Sequence, residues 1–361
     1  MRKGLCEISN PKQWKTISTE MLMPNGYPVY GANGIIGYFS DYNHTEETLL
    51  ITCRGATCGS LNICEPYSYV NGNAMAIDNL SEEVDLKYLY YYLLNRGLDD
   101  VITGSAQPQI VRQSLTKVYV EYPELNEQKE IVSSLNKVEQ LIFLRKQQLS
   151  KLDELVKSRF IELFGDVTSN PNGYPVKNFE EISVLITDGE HATPRRTEYG
   201  IYLLSARNIL NHALQLDDVD YIDEEEYSRI ARRVIPQAGD VLISCSGSIG
   251  RCCVVPNGLR FQMVRSAALI RFDNTINPVF AEWLITSDDL QQQIAQSATQ
   301  SSQANLFQGK IRKLHGYVPP IELQNQFAAF VEQTDKSKLA IQKSLDQLET
   351  LKKALMQKYF G

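Results

Sequence analysis

Between Pro123 and Gly165 the apolar residues Ile131, Leu135, Val138, Ile142, Leu149, Leu152, Val156 and Leu163 fall alternately four and three positions apart, with Arg145 and Arg159 filling the two remaining places. That spacing is a heptad seam, narrower than the apolar stripe of a surface helix in a globular domain. It predicts one long helix, uninterrupted by Gly or Pro from Leu125 to Phe164. About 40 residues at ~1.5 Å each make a rod of about 60 Å.

The chain makes this stretch twice. Pro319 to Gly361 aligns with Pro123 to Gly165 without a gap at a constant offset of 196, matching Gln128 to Gln324, Leu149 to Leu345 and Phe164-Gly165 to Phe360-Gly361. Phe327, Val331, Ile341, Leu345, Leu348, Leu355 and Tyr359 carry the second seam, interrupted by Thr334, Lys338 and Lys352. A gapless match over a whole element is an internal repeat. An isolated amphipathic helix must bury its seam, and the other copy is the nearest partner.

The stretches before each rod alternate short β-leaning runs with turn residues. In the first, Thr48–Cys53 reads as a buried strand, with further strands over Tyr69–Ile77 and Lys117–Tyr122 and a buried helix over Asp85–Asn95. In the second, strands are expected at Gly200–Ser205, in the DVLISCSG stretch from Asp240, around Arg251–Val255 and around Ser266–Phe272. Helices are expected at Asp223–Arg233 and from Pro278 to about Ile294. TLLITCRG from Thr48 matches DVLISCSG from Asp240 at an offset of 192. The repeat therefore extends beyond the rods.

The expected fold class is α+β: two mixed globular domains joined by two long helices in an antiparallel coiled coil, with a pseudo-two-fold internal repeat. The boundaries are 1–122, 123–165, 166–318 and 319–361. An antiparallel pair puts one domain at each end, whereas a parallel pair would need the linker after Gly165 to run the length of the rod. About ten residues reach only ~35 Å.

Length and composition fit an ordinary globular protein of two or three domains. The N-terminal MRKGLCEISNPKQW has no apolar run after its basic residues, and no apolar run approaches the ~18 residues of a membrane span. Seven irregularly placed cysteines suggest reduced thiols in a cytoplasm.

The net charge of −7 argues at face value against nucleic acid. Its distribution qualifies that. The rods are near neutral, and the basic residues of 166–318 are eleven Arg against three Lys. Arg suits bidentate contact with phosphates and guanine edges. Ordinary salt-bridged surface is the competing reading.

No catalytic constellation stands out. Asn170-Pro171-Asn172-Gly173-Tyr174 fails the Asn-Pro-Pro-Tyr pattern of adenine methylases at its third position. Ser246-Gly247-Ser248-Ile249-Gly250 lacks the Lys-Ser/Thr of a P-loop and mismatches the nucleophile elbow. Cys53, Cys58 and Cys64 lack Cys-x-x-Cys spacing, so buried thiols are expected rather than a metal site.

Four strings, GSAQPQI before the first rod, PELNEQKEIV opening it, TDGEHATP in the second globular part and GDVLISCSGSIG within it, occur in a duplicated order of parts. Together they resemble the specificity subunit of Type I restriction–modification enzymes, and the resemblance spans essentially the whole chain. It implies two target recognition domains, each reading one half of a split asymmetric site on double-stranded DNA. The helices would space the readers and dock two methyltransferase subunits that modify adenine, with restriction subunits joining the full complex. The chain itself would be non-catalytic, and S-adenosylmethionine and ATP would be bound only by its partners. The alternative is a coiled-coil adaptor without sequence-specific DNA binding.

Amides read adenine and Arg reads guanine. On that chemistry the candidate DNA contacts of the first domain are Asn33, Arg54, Thr57, Ser105, Gln107, Gln109 and Arg112. Those of the second are His191, Thr193, Arg195, Arg196, Arg207, Asn208, Ser246, Ser248, Ser301 and Gln303. For each of them a loop cap or turn is the competing reading.

Overall fold

A computed structural model describes residues 1–104, 107–297 and 305–361. The chain divides into two compact units, one of Met1–Gln147 with Gln342–Gly361, the other of Gln148–Ile341. The helices Leu125–Phe164 and Ile321–Phe360 each run 40 residues and contribute to both.

In the first unit, Asn10–Gln13, Ala74–Asp78, Thr48–Thr52 and Leu61–Cys64 form an antiparallel sheet in that order. Gly34–Phe39, Tyr27–Gly31 and Tyr69–Val70 form a second sheet whose last pair is parallel. Arg2–Gly4 pairs with Tyr119–Glu121 just before the long helix. The helix Leu86–Arg96 starts at Asp85, whose carboxylate accepts from the backbone N–H groups of Lys87 and Tyr88 at 2.9 and 3.0 Å, a standard N-cap. Leu49, Ile51, Met75, Leu89 and Leu135 are among the residues of its buried core.

The second unit repeats this plan. Ser183–Asp188, Ala267–Phe272, Val241–Ser244 and Cys252–Val254 make the four-stranded antiparallel sheet. Asp220–Ile222, Ile201–Leu204 and Phe261–Met263 make the three-stranded one, again with its last pair parallel. Val176–Asn178 pairs with His315–Tyr317 before the closing helix. The additional length includes a short hairpin, Ile209–Leu210 with Ala213–Leu214, and the helix Glu224–Ala231.

Two elements differ from the sequence expectation. Tyr69–Ile77 is two strands, because the buried Asn71 turns the chain between them. Its amide oxygen accepts from the N–H groups of Ile17 and Gly72, and its Nδ2 donates to the Ile17 carbonyl. The helix from Pro278 ends at Ile285 and a second begins at Asp288. At the break, the Thr286 hydroxyl donates to the Glu282 carbonyl and the Ser287 hydroxyl to that of Leu284, the local competition typical of these side chains.

Within each unit the two long-helix segments run antiparallel. In the first, Lys352 meets Glu139 at 2.6 Å and Lys146 meets Glu349 at 3.3 Å. In the second, Lys338 meets Asp153 at 2.6 Å, and Phe160 lies edge-on to Phe327 with ring centroids 5.3 Å apart. Arg159, polar on the seam, pairs with Glu162 at 2.8 Å and lies 5.9 Å from the Phe330 ring centre. Its guanidinium thus faces both a carboxylate and an aromatic ring.

One residue pair shows the duplication at atomic detail. Gln128 and Gln324 are both fully buried. Gln128 donates from Nε2 to the carbonyls of Glu83 and Pro123, and its Oε1 accepts from Asp85 N–H at 2.9 Å. Gln324 does the same with Thr275, Pro319 and Asn277. Each ties the start of a long helix to the cap of the short one beneath it. No helix among the described residues is long and apolar enough to cross a membrane.

Candidate nucleic-acid interface

The buried strand Thr48–Thr52 ends in a loop that opens at Arg54. Arg54 pairs in antiparallel fashion with Gln109, Gly55 N–H donates to the Pro108 carbonyl at 3.3 Å, and Ile110 N–H donates to the Cys53 carbonyl at 3.0 Å. Thr103 and Gln109 exchange backbone hydrogen bonds of 2.8 Å. Between them Gly104 takes φ +85, where a Cβ would meet the Gln107 carbonyl oxygen at 2.5 Å. The Thr57 hydroxyl donates to Asn33 Oδ1 at 2.6 Å. Asn33, Arg54, Thr57, Gln107 and Gln109 therefore share one exposed surface. Arg112, also exposed, begins the short helix two residues beyond Ile110. Ser105 lies outside the described residues.

The second unit builds the same frame with other side chains. Ser246 pairs with Asn305 where the first unit pairs Arg54 with Gln109, and Leu306 N–H donates to the Cys245 carbonyl at 2.9 Å. Cys245 N–H reaches the Ser266 carbonyl at 2.7 Å, as Cys53 N–H reaches that of Asn73 at 3.1 Å. Ser246 is half-buried and Ser248 exposed. Ser301 and Gln303 lie outside the described residues.

His191, Arg195, Arg196 and Arg207 meet carboxylates. His191 Nε2 lies 2.8 Å from Asp188 Oδ2, and Arg233 also pairs with Asp188. Arg195 holds Asp223 at 3.0 Å and Glu225 at 2.8 Å. Arg196 and Arg207 share Asp220, at 3.0 and 3.1 Å. Nearby, the Arg229 hydrogen bond holds the Glu226 carboxyl below the usual carboxylate range. Thr193 is exposed.

Asn208 is a correction. It is fully buried, accepts from Ser205 N–H at 2.9 Å, and donates to the carbonyls of Gln215 and Asp218 at 3.1 and 2.9 Å. Its amide builds a turn and has no edge to offer a base.

Two exposed or half-exposed arginines on this frame were not among the sequence candidates, Arg251 at the exit of the Ser246–Gly250 loop and Arg265 in the turn beside Ser266. The offset between TLLITC and DVLISC points to the first, since it marks where the loop returns to its sheet. Nothing in the local sequence marks the second.

Among the described residues no group of three His, Cys, Asp or Glu is placed to hold a metal ion. All seven cysteines are free thiols. Burial pushes the Cys245 thiol up to about 12 and raises Cys252 well above the ordinary range, the signature of inert structural thiols.

Residues 2–154 match the family model described as the Type I restriction modification DNA specificity domain. The chain is 23% identical to the putative type I restriction enzyme specificity subunit S.HindORF215P of Haemophilus influenzae, over 98% of this chain and 94% of that protein. The likeness to specificity subunits of Type I restriction enzymes thus runs nearly the length of the chain, and the family match covers residues 2–154. The chain is also 27% identical to the EcoprrI specificity subunit of Escherichia coli over 145 residues, 39% of this chain and 36% of that protein. The fold is similar to that of the Type I restriction–modification S subunit from M. genitalium, with a TM-score of 0.68 at 16% identity, covering 100% of this chain and 96% of that one. A second solved structure, of a Type I restriction–modification assembly, matches with a TM-score of 0.59 at 15% identity, covering 100% of this chain and 97% of that chain.

The doubled loop frame is common to the two units. Each unit supports the same three backbone segments and varies the side chains on them.

Proposed function

We propose that each unit of this specificity subunit reads one half of a split, asymmetric site on double-stranded DNA, and that the long helices fix the gap between the halves. The observation that carries this reading is the repeated frame: Arg54 with Gln109 in one unit and Ser246 with Asn305 in the other. Equal backbones with unequal side chains suit two readers that approach the duplex alike and select different bases. Two readers related by a pseudo-two-fold make half-site spacing a geometric property of the protein.

The helices pair as an antiparallel coiled coil between the domains 1–122 and 166–318, and their outer faces dock two methyltransferase subunits. Leu141, Phe143, Leu144 and Leu351 in the first unit and Leu155, Ile161 and Leu339 in the second leave apolar surface uncovered on the helices, as a partner surface requires. Restriction subunits join the full complex in the cytoplasm. This chain supplies no chemistry, and S-adenosylmethionine and ATP are bound by the partners.

A salt-dependent gel shift of the chain alone and with its methyltransferase tests the reading. Sequence-specific binding is expected for the complex and weak or silent binding for the lone chain. Absence of specific binding in both would reduce the chain to a scaffold.

A further inference from the structure

We propose that Arg265 is a base-reading residue of the second unit, whereas Arg195, Arg196 and Arg207 serve the unit's own structure. This rests on the reading of the chain as a DNA specificity subunit.

The inference follows from where each guanidinium spends its donors. Of the eleven arginines between 166 and 318, eight hold a carboxylate at salt-bridge distance. Only Arg232, Arg251 and Arg265 have no such partner among the described residues. A guanidinium reads guanine by aiming two parallel N–H groups at O6 and N7. One whose fork already faces a carboxylate has fewer donors to aim, and the carboxylate repels the neighbouring phosphates. Arg196 and Arg207, joined through Asp220 and flanked by Asp218, present such a surface.

Arg265 has no carboxylate partner at salt-bridge distance among the described residues. It is exposed, and its backbone is fixed. Its N–H donates to the Glu190 carbonyl at 3.0 Å, and Val264 N–H donates to the Leu204 carbonyl at 3.0 Å. The following residue, Ser266, accepts from Cys245 N–H through its carbonyl at 2.7 Å and from Ala206 N–H through its hydroxyl at 3.1 Å. Four hydrogen bonds to three segments thus hold the turn, whose guanidinium has no carboxylate partner among the described residues, at the edge of the loop Ser246–Gly250. Pre-organisation of this kind lowers the ordering cost of a contact.

The first unit agrees. Of the four arginines in residues 1–122, Arg2 and Arg96 are ion-paired, and the two without a carboxylate partner among the described residues are Arg54 and Arg112. Arg54 opens the corresponding loop. In each unit, unpaired guanidinium thus lies on or beside the repeated frame among the described residues, with Arg232 standing apart at the end of the helix Glu224–Ala231. Arg251, at the exit of the second loop, is placed for a supporting phosphate contact.

The test uses the complex of this chain with its methyltransferase and a DNA library randomised in each half-site. Arg265→Ala should weaken binding by roughly 5- to 150-fold and relax one position in one half-site, the other half remaining intact. Arg265→Lys should retain most of the salt dependence yet lose the base preference, because it keeps the charge and not the fork. Arg196→Ala and Arg207→Ala should leave both half-sites unchanged. Melting curves confirm that each variant is folded. A wild-type complex that selects a site, with Arg265→Ala selecting it equally well, overturns this proposal alone. A wild-type complex that selects none overturns the DNA-reading function and this proposal together.

Discussion

Gln128 and Gln324 make the same three hydrogen bonds from fully buried positions in the two units. Removing either side chain takes the partner from a half-buried N–H and two carbonyls, each costing about 1–3 kcal/mol where water cannot enter. Gln128→Ala and Gln324→Ala should each lower unfolding stability by about 2–4 kcal/mol in urea titration; a loss under ~0.5 kcal/mol would show the bonds to be incidental. The sequence aligns these glutamines but does not disclose their role, because Glu83 and Asp85 lie 45 and 43 positions away from Gln128. The same limit explains Asn208. Beside Arg207 in a polar loop it has the composition of a reader, and only the fold reveals that the carbonyls of Gln215 and Asp218 capture its amide. The ion pairs of Arg195, Arg196 and Arg207 were equally hidden, since their carboxylates come from residues 218–225.

At the scale of elements, the long helices are legible because their seam repeats every 3.5 residues over forty positions without Gly or Pro. Shorter elements depend on tertiary bonds. Asn71 divides a run of strand formers, and Thr286 with Ser287 divides a run of helix formers, each through contacts that composition does not specify. The helices carry a quantitative expectation. A heptad inserted at matched positions of both lengthens each by about 10 Å, equivalent to ~3 base pairs of duplex. The unread gap of the recognised site should widen by about that amount while both half-sites persist, as read from the sites methylated by the reconstituted complex. An unchanged gap in an active variant would show that the helices do not set it.

For the whole molecule, the central claim is that one chain carries two different readers on one repeated plan. The sequence repeat foreshadows that plan, and the matched pairings Arg54–Gln109 and Ser246–Asn305 give it a common backbone with unlike side chains. An excess of acidic residues is compatible with the proposed DNA reading, because among the described residues Arg54, Arg251 and Arg265, which have no carboxylate partner, lie on or beside those loops. The most direct test is to map methylated adenines in the genome of cells expressing this chain with its methyltransferase. The account predicts a single motif of two unlike half-sites separated by a gap of constant length. A contiguous motif, a palindrome of two identical halves, or methylation independent of this chain would contradict it.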